Sequence, residues 1–536
     1  MEKINNLIYL SFVLILIANC ANRGTPSGGE IDETPPSIIK STPENYSLNF
    51  NSSEIRVYFD EYIKLKNLQK YLIISPPIDP SPEITPLGTA SKYLEIKFQD
   101  SLKLNTTYVF NFGESIVDNN ADNIFPNYKY ILSTGSYIDS LKISGSLKDA
   151  LERTNPKDID VMLYEIDSTV TDSIIYKSKP KYITKLVDST GQFNLENLKK
   201  GKYLLIALKE ENKNYIYQNE NDKIAFYEQL ITLPQDTGDY SLRLFKENLN
   251  FKFGRPKNSS KNSIAFGFSG ELDNYKIDLI SNVDQSFKSK LIFGDEDIKD
   301  TLYYWYNSIK KLDSLQFIVR NNDFIDTLSV KLRNKNIDSL KINPLQNNYV
   351  SFLDDVRFQA NTPFNKIDTT KISITNKDSL NLDFKISFDT LKNTYNFNFE
   401  KQEEESYKFE FLPGSFVDLY NTSNDTLNYM YKTKTYDDYG NLRLTLRNVQ
   451  YPAIVQLTTK VGEVKYEKII LSQGNIDFKH VIPNNYYVRV IFDKNKNGKY
   501  DPGNYLNKIF PERVSHLNEE LDIRAGWDLV QEFILN

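Results

Sequence analysis

The chain has 536 residues, too many for one ordinary domain, so three to five units of roughly 100–150 residues are expected. The net charge of −6 and the lack of any Lys/Arg block argue against a nucleic-acid partner. One cysteine in the whole chain rules out an intramolecular disulfide, so each unit must be stable through its core alone.

The first element is apolar. Met1-Glu2-Lys3-Ile4-Asn5-Asn6 leads into an almost unbroken greasy run from Leu7 to Ala18, followed by Asn19-Cys20. That length is short for a bilayer span and suits the hydrophobic region of a secretory signal. A lone thiol at the expected cut points to chemistry done on that thiol. The start resembles a bacterial lipoprotein signal, with Ile17-Ala18-Asn19-Cys20 as its lipobox and Asn19 where Gly, Ala or Ser is usual. The resemblance implies a signal peptide over 1–19 and lipidation of Cys20, which becomes the first mature residue and anchors the protein to a membrane. Residues 20–36, rich in Gly, Pro, Ser and Thr, read as a flexible tether.

Beyond the tether, short alternating runs such as Glu54-Ile55-Arg56-Val57-Tyr58-Phe59 and Leu442-Arg443-Leu444-Thr445-Leu446 recur between turn residues. Aromatics make up 13% of the chain, a composition suited to pleated, half-buried surfaces. Both features predict an all-β chain of tandem β-sandwiches. Residues 37–136 carry Thr34-Pro35-Pro36 at the entry, Ile73-Ile74-Ser75-Pro76, Leu104-Asn105-Thr106-Thr107-Tyr108 and a close at Ser133-Thr134-Gly135. This order resembles the bacterial Ig-like domain of S-layer and surface proteins, with Asp118-Asn119-Asn120-Ala121-Asp122-Asn123 lacking the usual Gly of that family's turn. In 137–246, Gly191-Gln192-Phe193-Asn194-Leu195 and Gly201-Lys202-Tyr203-Leu204-Leu205 form a hairpin signal that resembles the prealbumin-like, carboxypeptidase-regulatory type of sandwich. A middle β module is expected over 247–340. Residues 341–437 echo the Ig-like unit and 438–536 the prealbumin-like one, which implies a duplicated pair and a rod of modules.

Three groups of residues beyond Cys20 are candidates for chemistry. Asp493, Asn495, Asn497 and Asp501 place oxygen side chains at positions 1, 3, 5 and 9 of a loop with Gly498 at position 6, the start of a Ca²⁺ loop; position 12 is Asn504 in place of Glu. Calcium is thus the one cofactor with any support. Glu210-Glu211-Asn212-Lys213-Asn214 is a weaker copy of the same loop. Asp-Ser/Thr-apolar triplets recur along the chain, with hydroxyls at Ser101, Ser140, Thr301, Ser314, Thr327, Ser339, Thr390 and Thr426. They resemble the O-glycosylation acceptor of exported Bacteroidota proteins and also read as turn punctuation before strands.

Catalysis has little support. His480 and His516 are the only histidines, and the chain carries no Gly-x-Ser-x-Gly elbow, phosphate loop or His/Cys metal cluster. Trp305, within Tyr303-Tyr304-Trp305-Tyr306, is either a sugar-stacking platform or core. The combined expectation is a non-catalytic, lipid-anchored outer-membrane lipoprotein of Bacteroidota type, facing either the periplasm or the cell surface. It would be a scaffold or accessory subunit docked to an outer-membrane β-barrel or envelope protein, or alternatively a glycan-binding surface lipoprotein.

Overall fold

The computed structural model describes residues 32–167, 172–294, 300–308, 312–333, 335 and 339–535. Cys20 and most of the expected tether lie outside the described residues. What is described is almost wholly β: eleven sheets and a few single helical turns. Among the described residues no helix is long and apolar enough to cross a membrane.

The first sandwich has one sheet in the order Ile38–Thr42, Glu54–Leu65, Ser91–Lys97, Glu83–Thr85, with Ile116–Asp118 paired to the far half of Glu54–Leu65. Its second sheet runs Ile73–Ser75, Thr107–Asn111, Lys129–Ser133. Period two puts Ile55, Val57, Phe59 and Ile63 of one strand inside, against Phe110 and Tyr130 of the other sheet. The fourth sandwich repeats this topology. Ile342–Pro344, Val356–Ala360, Thr394–Phe399 and Phe384–Asp389 form one sheet, and Ile372–Thr375, Ser406–Phe411 and Leu427–Lys432 the other. Here the long strand is broken in two, and its second half, Phe364–Ile367, pairs with Phe416–Asp418. Pro363 sits at the break, where it has no N–H to give to a ladder.

The second and fifth sandwiches share another topology. In the second, the order is Tyr182–Lys185, Asp160–Glu165, Gly201–Lys209, Lys223–Phe226, with Ile231–Leu233 on the start of Gly201–Lys209. In the fifth, the order is Val464–Ile470, Ala453–Thr458, Asn484–Phe492, Val514–His516, with Leu521–Ile523 on the start of Asn484–Phe492. Each facing sheet has three strands, and the outer pair is parallel in both: Leu141–Asp149 with Asp239–Leu244, and Gly440–Arg447 with Asp528–Ile534. Matching tyrosine pairs mark the repeat. Tyr203 Oη donates to Lys199 O at 2.8 Å and Tyr182 Oη accepts from Lys199 N at 3.1 Å. Tyr486 Oη donates to Ile482 O at 2.8 Å and Tyr466 Oη accepts from Ile482 N at 2.9 Å. The third sandwich, built around Ser263–Ser269, Thr301–Asn307 and Ser314–Asn321, has no counterpart among the other four.

The expected rod is not what forms. The central strands Gly201–Lys209 and Asn484–Phe492 are buried on both faces, so their outer faces must be covered. On the second sandwich Met162, Tyr164, Leu204, Ile206 and Phe226 make an apolar outer face, and Tyr505 of the fifth sandwich is buried in it. Burial of that face bends the chain back on itself. The second sandwich meets the third through Glu220 and Lys252, 3.9 Å apart, and the third meets the fourth where Phe293 N donates to Leu391 O at 2.7 Å. Phe352 of the fourth stacks near His480 of the fifth at 5.5 Å, and the fifth returns to the second. The first sandwich attaches to the second through Ser75 Oγ, which accepts from Ile183 N at 3.1 Å.

Candidate functional site

The strand Asn484–Phe492 delivers the chain into the loop that begins at Asp493. That carboxylate is 2% exposed and is held by the loop's own amides. Asn497 N donates to Asp493 Oδ1 at 3.0 Å, and Gly498 N to Oδ2 at 2.9 Å. Gly498 has φ +77°, the left-handed region that lets the chain turn there. Asn495 Nδ2 and Asn497 Nδ2 donate to Asp501 Oδ2 at 2.6 and 2.8 Å. All four residues read from the sequence are therefore brought together. Asn504 is not: it pairs with Ile509 through two backbone bonds of 2.7 and 2.9 Å and belongs to the next turn.

The acid that closes the loop is Glu512, which sequence spacing missed because it lies beyond an intervening turn. Glu512 accepts from Lys494 N at 2.7 Å and from Asp501 N at 3.1 Å. Burial pushes its carboxyl above the usual range against the pull of those two amides, with Asp501 and Asp493 adding to the rise. For a hard cation the donor types are right, but the amides of Asn495 and Asn497 present N–H₂ to Asp501, and both would have to rotate to offer oxygen. The copy at Glu210 also holds the amides four and five positions on, but with one oxygen: Glu210 Oε2 accepts from Asn214 N at 2.9 Å and Tyr215 N at 2.8 Å. Burial raises Glu210 to about 7. Among the described residues no three His, Cys, Asp or Glu side chains converge as a metal-binding group.

The triplet hydroxyls Ser101, Ser140, Ser314, Thr327, Ser339, Thr390 and Thr426 are exposed, and Thr301 is half-buried. Three of the aspartates before them accept from amides just downstream: Asp100 Oδ1 from Ser101 N at 2.7 Å, Asp326 Oδ1 from Thr327 N at 2.7 Å, and Asp389 Oδ1 from Leu391 N at 3.0 Å, whereas Asp139 accepts from Thr107 Oγ1 at 3.0 Å. In the Gly-less turn of the first sandwich, Asp122 takes the left-handed conformation and Asp118 accepts from four successive amides.

Trp305 is no sugar platform. It is 8% exposed and packs with Ile292 and Leu419 between the third and fourth sandwiches. The tryptophan that does face solvent is Trp527, 57% exposed, with the Arg524 guanidinium 5.1 Å from its ring.

The contact between the second and fifth sandwiches is the other buried polar cluster near this loop, and nothing in the local sequence marks it. Tyr505 is fully buried there. Its backbone N–H donates to Glu247 and its hydroxyl to Asp172 O at 2.9 Å. Glu247, itself buried, accepts from Tyr217 Oη at 2.7 Å. Phe510 stacks on Phe226 at 4.7 Å, and Lys508 lies 3.2 Å from Asp172. A Cβ on Gly503 would sit 2.7 Å from the Phe245 ring and 2.6 Å from Ile509 O, so only glycine allows this approach.

Residues 32–134 match the bacterial Ig-like domain family, which covers the first sandwich. Among curated proteins no sequence match was found. Similar solved structures include domains 5–6 of the S-layer protein SbsC, at 11% identity over 35% of this chain and 98% of that one, with a TM-score of 0.17. A longer fragment, SbsC domains 1–6, aligns at 9% identity over 91% of this chain and 67% of that one, with a TM-score of 0.15. A Salmonella alpha-2-macroglobulin aligns at 9% identity over 92% of this chain and 43% of that one, with a TM-score of 0.15. TM-scores this low describe no shared arrangement of the whole chain. The protein is thus an all-β, multi-sandwich chain with a bacterial Ig-like module at its N-terminal end.

Proposed function

We propose that this protein is a non-catalytic envelope lipoprotein, anchored through Cys20 to the outer membrane, that works as a scaffold or accessory subunit of a membrane-protein complex. The observation that carries this reading is the bracing of the second and fifth sandwiches against each other at Tyr505 and Glu247. Sandwiches locked in this way present several sheet faces and edges in fixed relation, as a docking platform requires. The bacterial Ig-like module next to the tether fits an envelope location. The exposed Asp-Ser/Thr turns are open to glycosylation at residues such as Ser101, Thr390 and Thr426. Burial of Trp305 removes the ring on which a glycan-binding role would have rested.

Co-purification of the native lipoprotein in mild detergent tests the proposal. A stoichiometric barrel or envelope protein is the expected companion. Cys20→Ser is expected to move the protein from the membrane to the soluble fraction while its circular dichroism stays that of a folded β protein. If the variant still sediments with membranes, or no stoichiometric partner comes down with the native protein, the reading fails.

A further inference from the structure

The second and fifth sandwiches, which share one topology, differ at one place in a way that packing alone does not require. In the second, Met162, Ile206 and Phe226 sit side by side on three adjacent strands and face outward into an apolar contact. The topologically equivalent positions in the fifth are Gln456, Arg489 and His516, again in register on adjacent strands. An apolar trio has become an amide, a guanidinium and an imidazole. Burying such groups costs free energy unless they are paired.

They are not fully paired. Arg489 is 7% exposed, yet no carboxylate lies within ion-pair distance of it among the described residues. Its Nε donates to Gln456, and one terminal nitrogen reaches Leu151 O only at 3.5 Å. His516 Nε2 is buried and makes no hydrogen bond. Both side chains line a cleft of about 400 Å³ between the second and fifth sandwiches. Across it stands Arg153, whose guanidinium lies 4.3 Å from the Tyr487 ring, and Lys460 and Thr459 form the rim. Glu152, the one acid on the cleft wall, binds Lys223 at 2.6 Å, as Asp149 does at 2.7 Å, and Glu467 accepts from the Gln456 amide beside Arg489 at 2.5 Å. The cleft wall therefore sets Arg153, Lys460 and the Arg489 guanidinium against one acid, Glu152, and carries an excess of positive charge.

We propose that this cleft binds an oxyanion, the carboxylate or phosphate of a small polar ligand, with Arg489 and His516 as its floor and Arg153 as its opposite wall. A guanidinium offers planar, paired N–H groups to such an anion, and a partly desolvated site strengthens the attraction. The same residues would hold a ligand at the seam of two sandwiches, so binding also strengthens that seam.

The test is calorimetric titration of the full soluble chain (Cys20→Ser) at pH 7 and constant ionic strength, with inorganic phosphate in one arm and acetate in the other. Saturable binding is expected in at least one arm, and the stronger arm identifies the anion class. Arg153→Ala, an exposed change that leaves folding intact, should weaken binding at least tenfold, and Arg489→Gln should abolish it. Lys335→Ala, on the third sandwich, should leave it unchanged. Because the chain has two histidines, the ring resonances of His516 can be followed by NMR and should move with the same saturation curve. No saturable heat in either arm, equal affinity in Arg153→Ala, or a His516 ring that ignores the anion would each overturn the proposal, even if Arg489→Gln failed to fold.

Discussion

Tyr505 of the last sandwich donates its backbone N–H to the carboxylate of Glu247, which lies 258 positions earlier at the junction of the second and third. This bond closes the chain. Around it the Tyr505 ring meets Phe226 at 5.4 Å, edge to face. Truncating a fully buried ring leaves a cavity as well as lost burial, so Tyr505→Ala should cost about 3–5 kcal/mol where the seam is cooperative with the fold. If the seam opens on its own instead, small-angle scattering should show a larger radius of gyration with β content unchanged. Gly503→Ala should act in the same direction, because its Cβ has no room. Unchanged scattering and an unchanged melting temperature in both variants would mean that the seam does not brace the chain.

The tyrosine pairs provide an internal control. Tyr203→Phe and Tyr486→Phe each delete one hydroxyl that donates at 2.8 Å to the carbonyl of the residue four positions earlier. A net hydrogen bond of this kind is worth about 1 kcal/mol, and a carbonyl left without its partner somewhat more, so each variant should lose about 1–2 kcal/mol in urea unfolding. Similar losses in the two sandwiches are expected from one motif used twice.

Much of this arrangement was legible in the sequence, and the reason is periodicity. Alternation placed Ile55, Val57 and Phe59 inside, and the strand-turn-strand patterns around Tyr203 and Tyr487 read as sheets because period two has no helical alternative at that length. The loop at Asp493 was legible for a local reason: spacing within nine residues sets which oxygens can converge. Glu512 and Tyr505 were not legible. Each acts across a distance that only the tertiary fold closes, and neither sits in a pattern that distinguishes it from an ordinary loop residue. The rod failed for the same reason. The run Tyr203-Leu204-Leu205-Ile206-Ala207-Leu208 read only as one strand of a hairpin, and nothing in it says that part of its cover comes from the fifth sandwich.

Two groups set opposing pH responses. Burial first, then the charges of Arg489 and Arg153, pull His516 down to about 4 against Asp149 and the Leu151 carbonyl. Its folded value is depressed below that of the unfolded chain. On acidification the unfolded state takes up a proton near pH 6.5 that the folded state refuses until about 4, so stability falls across that window. Glu210 does the reverse. Its folded value of about 7 lies above the unfolded one, so the folded state gains a proton first and stability rises as pH drops from about 7 toward 4.5. His516→Phe, the residue type of the equivalent Phe226, should gain stability on acidification in phosphate- and carboxylate-free buffer. Glu210→Gln should lose it, each by about 1–2 kcal/mol after allowance for partial solvent access. Parallel urea midpoints for all three proteins across this range would refute both assignments.

The Asp493 loop is the place where metal dependence can be separated from loop stability. Both carboxylate oxygens of Asp493 already accept backbone N–H groups, and Asp501 Oδ2 holds two side-chain amides. A loop closed by its own hydrogen bonds keeps its shape without a cation. Chelation with EDTA is therefore expected to leave the melting temperature within about 1 °C of the starting value. Asp493→Ala strips two partly buried amides of their acceptor at once and should destabilise the fifth sandwich by about 1–2 kcal/mol with or without calcium. Glu512→Gln should cost less, since its amide oxygen can still accept from one of the two N–H groups that the carboxylate now serves. If EDTA instead lowers the melting temperature by several degrees and millimolar Ca²⁺ restores it, the amides of Asn495 and Asn497 must be turned with their oxygens inward, and the loop is a cation site of the weak, extracellular kind.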